Sequence, residues 1–189
     1  MKNIVLGLLS GALFYGCAAP PQAAVRPRTY SSTPPARSVV QPSAPTLRTI
    51  NNTAHLLAEL NSYRQQHGLR ALVISPTATA AARLQASYNL EHHTHGHANP
   101  RYPEPADRLV AVGHQYEPTL YYTRYCREVC IQVERMTPRY LLGLDSLLMT
   151  NYKNSPHHNT SLLDAEVRKV GITTLYDGTE LQNTIVLCI

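Results

Sequence analysis

The sequence predicts an α+β fold in which a small, mainly antiparallel sheet is covered by helices, and three observations predict it. Apolar residues recur at helical spacing between residues 52 and 91, an alternating run spans Arg127 to Glu134, and two β-branched runs flank Asp177-Gly178 near the C-terminus. Helices that come before the strands, rather than alternating with them one for one, go with sheets built from hairpins.

Each element has a local reason. Asn52 or Thr53 caps a first helix whose Leu56, Leu57, Leu60 and Tyr63 share a face, and Gly68 supplies its stop. Ser75-Pro76 is a cap followed by a first-turn proline, opening an alanine-rich helix through Ala80, Leu84 and Tyr88 whose small side chains let a neighbour approach closely. That helix runs into His92, His93, His95 and His97. After a proline-rich loop, Pro105 to Val112 reads as a short helix ended by Gly113. In the alternating strand, Val129, Ile131 and Val133 form an apolar side that should pack on a helix, opposite Glu128, Cys130 and Gln132. Thr137-Pro138 opens a further helix with Leu141, Leu144, Leu148 and Tyr152 along one stripe, closed by Asn154-Ser155-Pro156. Val167 to Tyr176 and Leu181 to Ile189 then pair as a hairpin.

With 189 residues the chain has room for one core and some extra. The formal charge of +5 suggests a nucleic-acid partner, but its location argues otherwise. Residues 1–50 hold Lys2, Arg26, Arg28, Arg37 and Arg48 and no acid, so 17 less 5 leaves 12 basic against 12 acidic residues in the remainder. The folded part is formally neutral, and no nucleic acid is expected.

Lys2 and the apolar run Ile4 to Tyr15 have the basic start and short hydrophobic core of a secretory signal, too short to cross a bilayer. The core ends at Phe14-Tyr15-Gly16-Cys17, which resembles a bacterial lipobox, where a small residue precedes a cysteine that is lipidated. Ordinary cleavage near Ala18, Ala19 or Ala24, with Cys17 lost or left as a thiol, is the competing reading. Both put the domain outside the cytoplasm, and lipidation at Cys17 holds it in the cell envelope, at the outer membrane or cell surface. From Ala18 to about Thr46 the chain is Pro, Ala, Ser, Thr and Arg with little to bury, an extended tether. The expected organisation is a signal over 1–16, a disordered stalk over 17–50 and a globular domain over 51–189.

Leu60-Asn61-x-Tyr63-Arg64-x-x-x-Gly68-Leu69-x-x-Leu72, the alanine-rich helix, the histidine cluster, a strand with a central Glu, and Ser155-Pro156-His157-His158-Asn159 before Val170-Gly171 resemble the CAP superfamily in its bacterial SCP-like form. The resemblance covers about residues 53 to 189. It implies an α-β-α sandwich with a cleft where histidines and acidic residues meet. Position by position, His158 falls on the second cleft histidine and Glu128 on the cleft Glu of the strand. The first cleft histidine is His95, with His97 and His93 as alternatives. Arg127 and Val129 replace the Gly and Asn that flank the family Glu, Tyr152 replaces a Trp, and Ser155 stands where eukaryotic members carry a second acid.

Two imidazoles and a carboxylate with an open position suit Zn and related divalent ions, here His95, His158 and Glu128. The competing reading is that these groups hydrogen-bond one another in a polar cleft. His157 and His114 read as surface residues. Cys126 and Cys130 would stand about 13 Å apart along one strand, beyond the roughly 7 Å reach of a disulfide, so one of them is expected to join Cys188. Otherwise Cys126 lies in the preceding loop and curls back.

No nucleophile has an evident base. The leading functional reading, which the resemblance implies, is a monomeric, non-enzymatic binding module, needing no cofactor, tethered to a membrane by its lipid. Its cleft would take a divalent metal, a lipid-like molecule or a cell-wall component. The alternatives are a metal-dependent hydrolase, in which Glu128 acts on water held by a metal on His95 and His158, and a metal-buffering lipoprotein that uses the histidine loop alone.

Overall fold

The computed structural model describes residues 47–113, 125–137 and 141–189. The signal sequence, Cys17, the stalk up to residue 46 and His114 lie outside the described residues.

Among the described residues the α-helices and β-strands follow in order: β1 (Arg48–Thr49), α1 (Thr53–Gln66), β2 (Val73–Ile74), α2 (Pro76–Glu91), α3 (Pro105–Gly113), β3 (Cys126–Val133), α4 (Leu144–Asn154), α5 (Pro156–Leu162), β4 (Lys169–Tyr176) and β5 (Leu181–Cys188). The sheet runs β1-β4-β5-β3 with antiparallel neighbours, and the two-residue β2 adds a parallel pairing to β4. Arg48 and Thr49, read from the sequence as the end of the stalk, instead pair with Tyr176 and Leu175, and the Ile50 N–H donates to the Thr174 carbonyl at 2.9 Å.

Strand alternation sorts the sheet into two faces. Val129 and Ile131, Val170 and Ile172, and Leu181, Ile185 and Leu187 join Leu56 and Leu60 of α1, Leu148, Met149 and Tyr152 of α4 and Leu162 of α5 in the main core. The other face packs Val186 and Cys188 on Ala78, Ala81 and Ala82 of α2 and Leu109 of α3. Helices on both faces of one sheet make the α-β-α sandwich.

The motif residues of α1 have structural work. Asn61 donates to the Leu72 carbonyl at 3.0 Å and accepts from the Leu72 N–H at 2.7 Å, so one amide side chain takes the place of a strand neighbour. Arg64 is fully buried and donates to the carbonyls of Arg70, Leu162 and Asp164, tying α1 to the end of α5. Gly68 holds φ at +71° while the N–H groups of Gly68 and Leu69 reach back to Gln65 and Arg64, the left-handed helix stop that glycine favours. At α2, the Ser75 hydroxyl accepts from the Ala78 N–H at 3.1 Å, as its cap role requires.

One helix begins later than its sequence suggests. Thr137 is not helical, Pro138 lies outside the described residues, and α4 starts at Leu144, preceded by Gly143 at φ +81°. Leu141 is in 3-10 geometry and 41% exposed, rather than on the buried stripe with Leu144, Leu148 and Tyr152. Ser155-Pro156 ends α4 as expected but also opens the seven-residue α5, because proline suits a first helical turn as well as it stops a preceding one. Tyr152 is fully buried and its hydroxyl donates to Asn183 Oδ1 at 2.6 Å, giving its polar end a partner.

Candidate functional site

The loop that carries the four histidines after α2 is pinned through its backbone by buried amides, while all four histidine residues stay exposed. Gln85 and Asn89, both fully buried on α2, each donate to the Gly96 carbonyl at 3.0 Å, and Gln182 of β5 donates to the Thr94 carbonyl at 3.4 Å. Each ring then takes a different neighbour. His92 packs on Tyr88, with ring centroids 4.3 Å apart. His93 faces Glu180, and His95 lines a depression of about 350 Å³ with Gln132 and Glu134. His97 meets Glu128, its Nδ1 2.9 Å from Oε1.

The histidine that reaches the strand carboxylate is therefore His97, not His95. Tight clamping of Gly96, at φ +101°, decides this, since it sets which way the loop turns after His95. His93 leaves the cleft altogether for the β4–β5 turn.

Glu128 lies on the α2 and α3 side of β3, and its side chain is 1% exposed. Its second oxygen, Oε2, accepts a short hydrogen bond from Nη2 of Arg108, a fully buried residue of α3 whose Nη1 also donates to the Tyr102 carbonyl at 2.8 Å. The carboxylate is thus held from both ends, by a guanidinium and by an imidazole. Arg108 is the site residue that sequence reasoning missed. The available signal was an arginine on the same helix face as Val112 and next to Leu109, a charge where an amphipathic helix keeps apolar residues.

His158 comes from α5, in the other helix layer. Its ring stacks edge-on against Tyr152 with centroids 5.4 Å apart. Among the described residues no hydrogen bond joins His158 to Glu128, so His95, His158 and Glu128 do not form the compact ligand set expected from the resemblance; the close group is His97, Glu128 and Cys130, with one atom of each within 4.8 Å of the others. Burial, and then the charges of His97, His95 and His157, hold His158 below the usual imidazole range. A histidine whose proton affinity falls on folding adds stability that is present above its unfolded value of about 6.5 and is lost as the pH drops below it.

The thiols separate as well. Cys126 stands directly opposite Cys188 in the β3–β5 register, with the Sγ atoms 3.0 Å apart and no bond between them. Cys130 is buried, beside Thr184 Oγ1 at 3.6 Å and His97 Nδ1 at 3.8 Å, and burial pushes its thiol far above the ordinary range. A thiol kept protonated is a poor metal ligand and a poor nucleophile.

The sequence profile of the cysteine-rich secretory protein family, CAP, matches residues 57–189. The chain belongs to the CAP family. No curated protein matches it. Among solved structures, this CAP domain is similar to an outer surface protein of Borrelia burgdorferi, at 20% identity and a TM-score of 0.58, over 76% of this chain and 98% of that one. It is also similar to an extracellular SCP-domain protein of Bacillus anthracis (15% identity, TM-score 0.54, 70% of this chain and 39% of that one). A cysteine-rich secretory protein of Staphylococcus aureus is a third (13% identity, TM-score 0.51, 75% and 39%). At these identities the likeness concerns the fold. The α-β-α sandwich expected from the sequence is the architecture observed.

Proposed function

We propose that this CAP-domain protein is an exported binding module, tethered to a membrane through lipidated Cys17, whose imidazole-lined cleft takes a divalent metal, a lipid-like molecule or a cell-wall component. The observation that carries this reading is the double engagement of Glu128. With Oε1 on His97 Nδ1 and Oε2 on Arg108, the carboxylate orients the imidazole and leaves Nε2 to a ligand, the arrangement in which a carboxylate backs a metal-binding histidine. A divalent ion such as Zn²⁺ would be held by His97 and by His158, whose proton affinity burial lowers, with Glu128 supporting His97 rather than ligating. The surface and extracellular descriptions of the Borrelia and Bacillus proteins are consistent with export.

The hydrolase reading asks Glu128 to take a proton from water, and a carboxylate bonded at both oxygens is poorly placed for that. Buffering by the histidine loop alone asks neighbouring rings to converge, whereas they face Tyr88, Glu180 and Glu128 separately.

Titration calorimetry with ZnCl₂ tests the cleft. His158→Ala and His97→Ala should each lower affinity by more than tenfold, and Glu128→Gln by about 10- to 100-fold. Unchanged affinity in His158→Ala would remove the cleft from the reading. Intact mass spectrometry of the protein extracted from its own membrane tests the remainder. It should show acyl chains on Cys17 and a mass two hydrogen atoms lighter than the fully reduced chain, from a Cys126–Cys188 disulfide formed by the oxidants of the compartment outside the cytoplasm. Facing residues on antiparallel strands have Cα atoms about 4.5–5.5 Å apart, within the span of that bond. A soluble, unacylated chain with three alkylatable thiols in the folded domain would refute both tether and disulfide.

A further inference from the structure

His93, Asp177 and Glu180 converge at the turn between β4 and β5, outside the cleft. His93 follows the end of α2 with φ at +48°, a left-handed conformation usually left to glycine or asparagine. The N–H groups of His93 and Thr94 bond to the carbonyls of Leu90 and Asn89 and close the helix there. Strain of this kind persists where its surroundings impose it, and its result is to set His93 Nδ1 3.5 Å from Glu180 Oε2.

That oxygen is buried and has no hydrogen-bond partner among the described residues. At 3.5 Å the imidazole is too far to satisfy it, and a buried carboxylate oxygen without a donor calls for an ion or water. The turn supplies a second carboxylate. Asp177 Oδ1 accepts from the Thr179 N–H at 2.8 Å, the Thr179 hydroxyl at 2.9 Å and the Glu180 N–H at 2.7 Å, which leaves Oδ2 for something else. Burial alone would raise the Asp177 carboxyl, but these donors and the nearby His93 outweigh it and hold the group below its ordinary range, so it stays ionised. The turn is braced by the Met136 N–H on the Thr179 carbonyl at 3.0 Å and by the Tyr176 hydroxyl on the Gly178 carbonyl at 2.6 Å.

One atom from each of His93, Asp177 and Glu180 lies within 4.8 Å of the others. Two donors about 2.1 Å from one tetrahedral ion stand about 3.4 Å apart, which is the spacing already present between His93 and Glu180. We propose that His93, Asp177 and Glu180 form a divalent-cation site of the one-imidazole, two-carboxylate class, suited to Zn²⁺, at the β4–β5 turn. An ion of charge +2 would neutralise the two carboxylates there and give Glu180 Oε2 the partner it lacks.

The test uses ZnCl₂ on the full chain carrying His97→Ala and His158→Ala, so that failure of the cleft reading does not touch it. This double variant should bind one Zn²⁺ per chain. Adding Glu180→Gln, or adding His93→Asn, which keeps a residue tolerant of the left-handed conformation, should weaken binding by at least about tenfold. The same substitutions in the otherwise wild-type chain should lower its stoichiometry by one, which keeps the test valid if the double variant folds poorly. Crystals grown with ZnCl₂ should show an anomalous peak between the three side chains. Wild-type stoichiometry and affinity in both Glu180→Gln and His93→Asn, or a peak elsewhere with none at the turn, would overturn the assignment.

Discussion

Replacing Gly171 with alanine is expected to be among the most damaging single changes in the chain. A β-carbon there would stand 1.9 Å from the Ala78 carbonyl carbon, 2.1 Å from the Thr79 nitrogen and 2.2 Å from the Ala78 oxygen. All three are backbone atoms, so no side-chain rotation relieves the overlap and α2 must lift from β4. The Thr173 hydroxyl, which donates to the Thr79 carbonyl at 3.1 Å, would lose its partner in the same movement. Overpacking of a tight core costs about 1–3 kcal/mol and more where backbone must move; we expect about 3 kcal/mol or above. At roughly 4 °C per kcal/mol for a domain of this size, the melting temperature followed by circular dichroism should fall by more than about 10 °C. A variant melting within about 2 °C of wild type would contradict the close seating of α2 on β4.

Arg108→Met carries the second large effect, for an electrostatic reason. Arg108 is fully buried and the Glu128 side chain 1% exposed, so removing the guanidinium leaves a carboxylate in the interior with His97 as its remaining partner. Breaking one side of a buried pair costs about 3–5 kcal/mol, whereas replacing both sides with apolar groups can be nearly neutral. Urea unfolding should therefore show the Arg108→Met loss, and Arg108→Met combined with Glu128→Leu should recover most of it. If the double variant is no better than the single one, the cost lies in packing of α3 and not in the stranded charge. The comparison also bears on the cleft, because the double variant should bind Zn²⁺ more weakly through a less well oriented His97.

What could be read from the sequence was whatever depends on near neighbours. The Ser75 cap, the Gly68 stop, the alternation through β3 and the Asp177-Gly178 turn each arise from chemistry within a few residues, and each appears in the structure where it was expected. The start of α4 did not follow. Leu141 fits the apolar period, but Gly143 takes a left-handed conformation that an α-helix cannot continue through, and no periodicity argument detects that. Strands β1 and β2, two residues each, have no local signal, since they exist through pairing with β4.

The cleft divides in the same way. Residue type and order marked His158, Glu128 and the run from His92 to His97 as the chemistry-bearing positions, because few other segments of a formally neutral domain carry imidazole and carboxylate together. Which histidine meets Glu128 was decided by Gln85 and Asn89 gripping Gly96 from one turn of α2, a contact that depends on the loop folding back over its own helix. That Glu128 is shared with Arg108 was decided by the packing of α3 on β3, which buries a charge that composition assigns to the surface. The sequence by itself determined the longer secondary elements and the candidate side chains, since those follow from spacing along the chain, and its motifs carried the family resemblance. Tertiary structure alone decided which of those side chains share a carboxylate, because hydrogen bonds between segments 20 to 31 residues apart depend on where the layers bring the backbone, not on the order of residues within it.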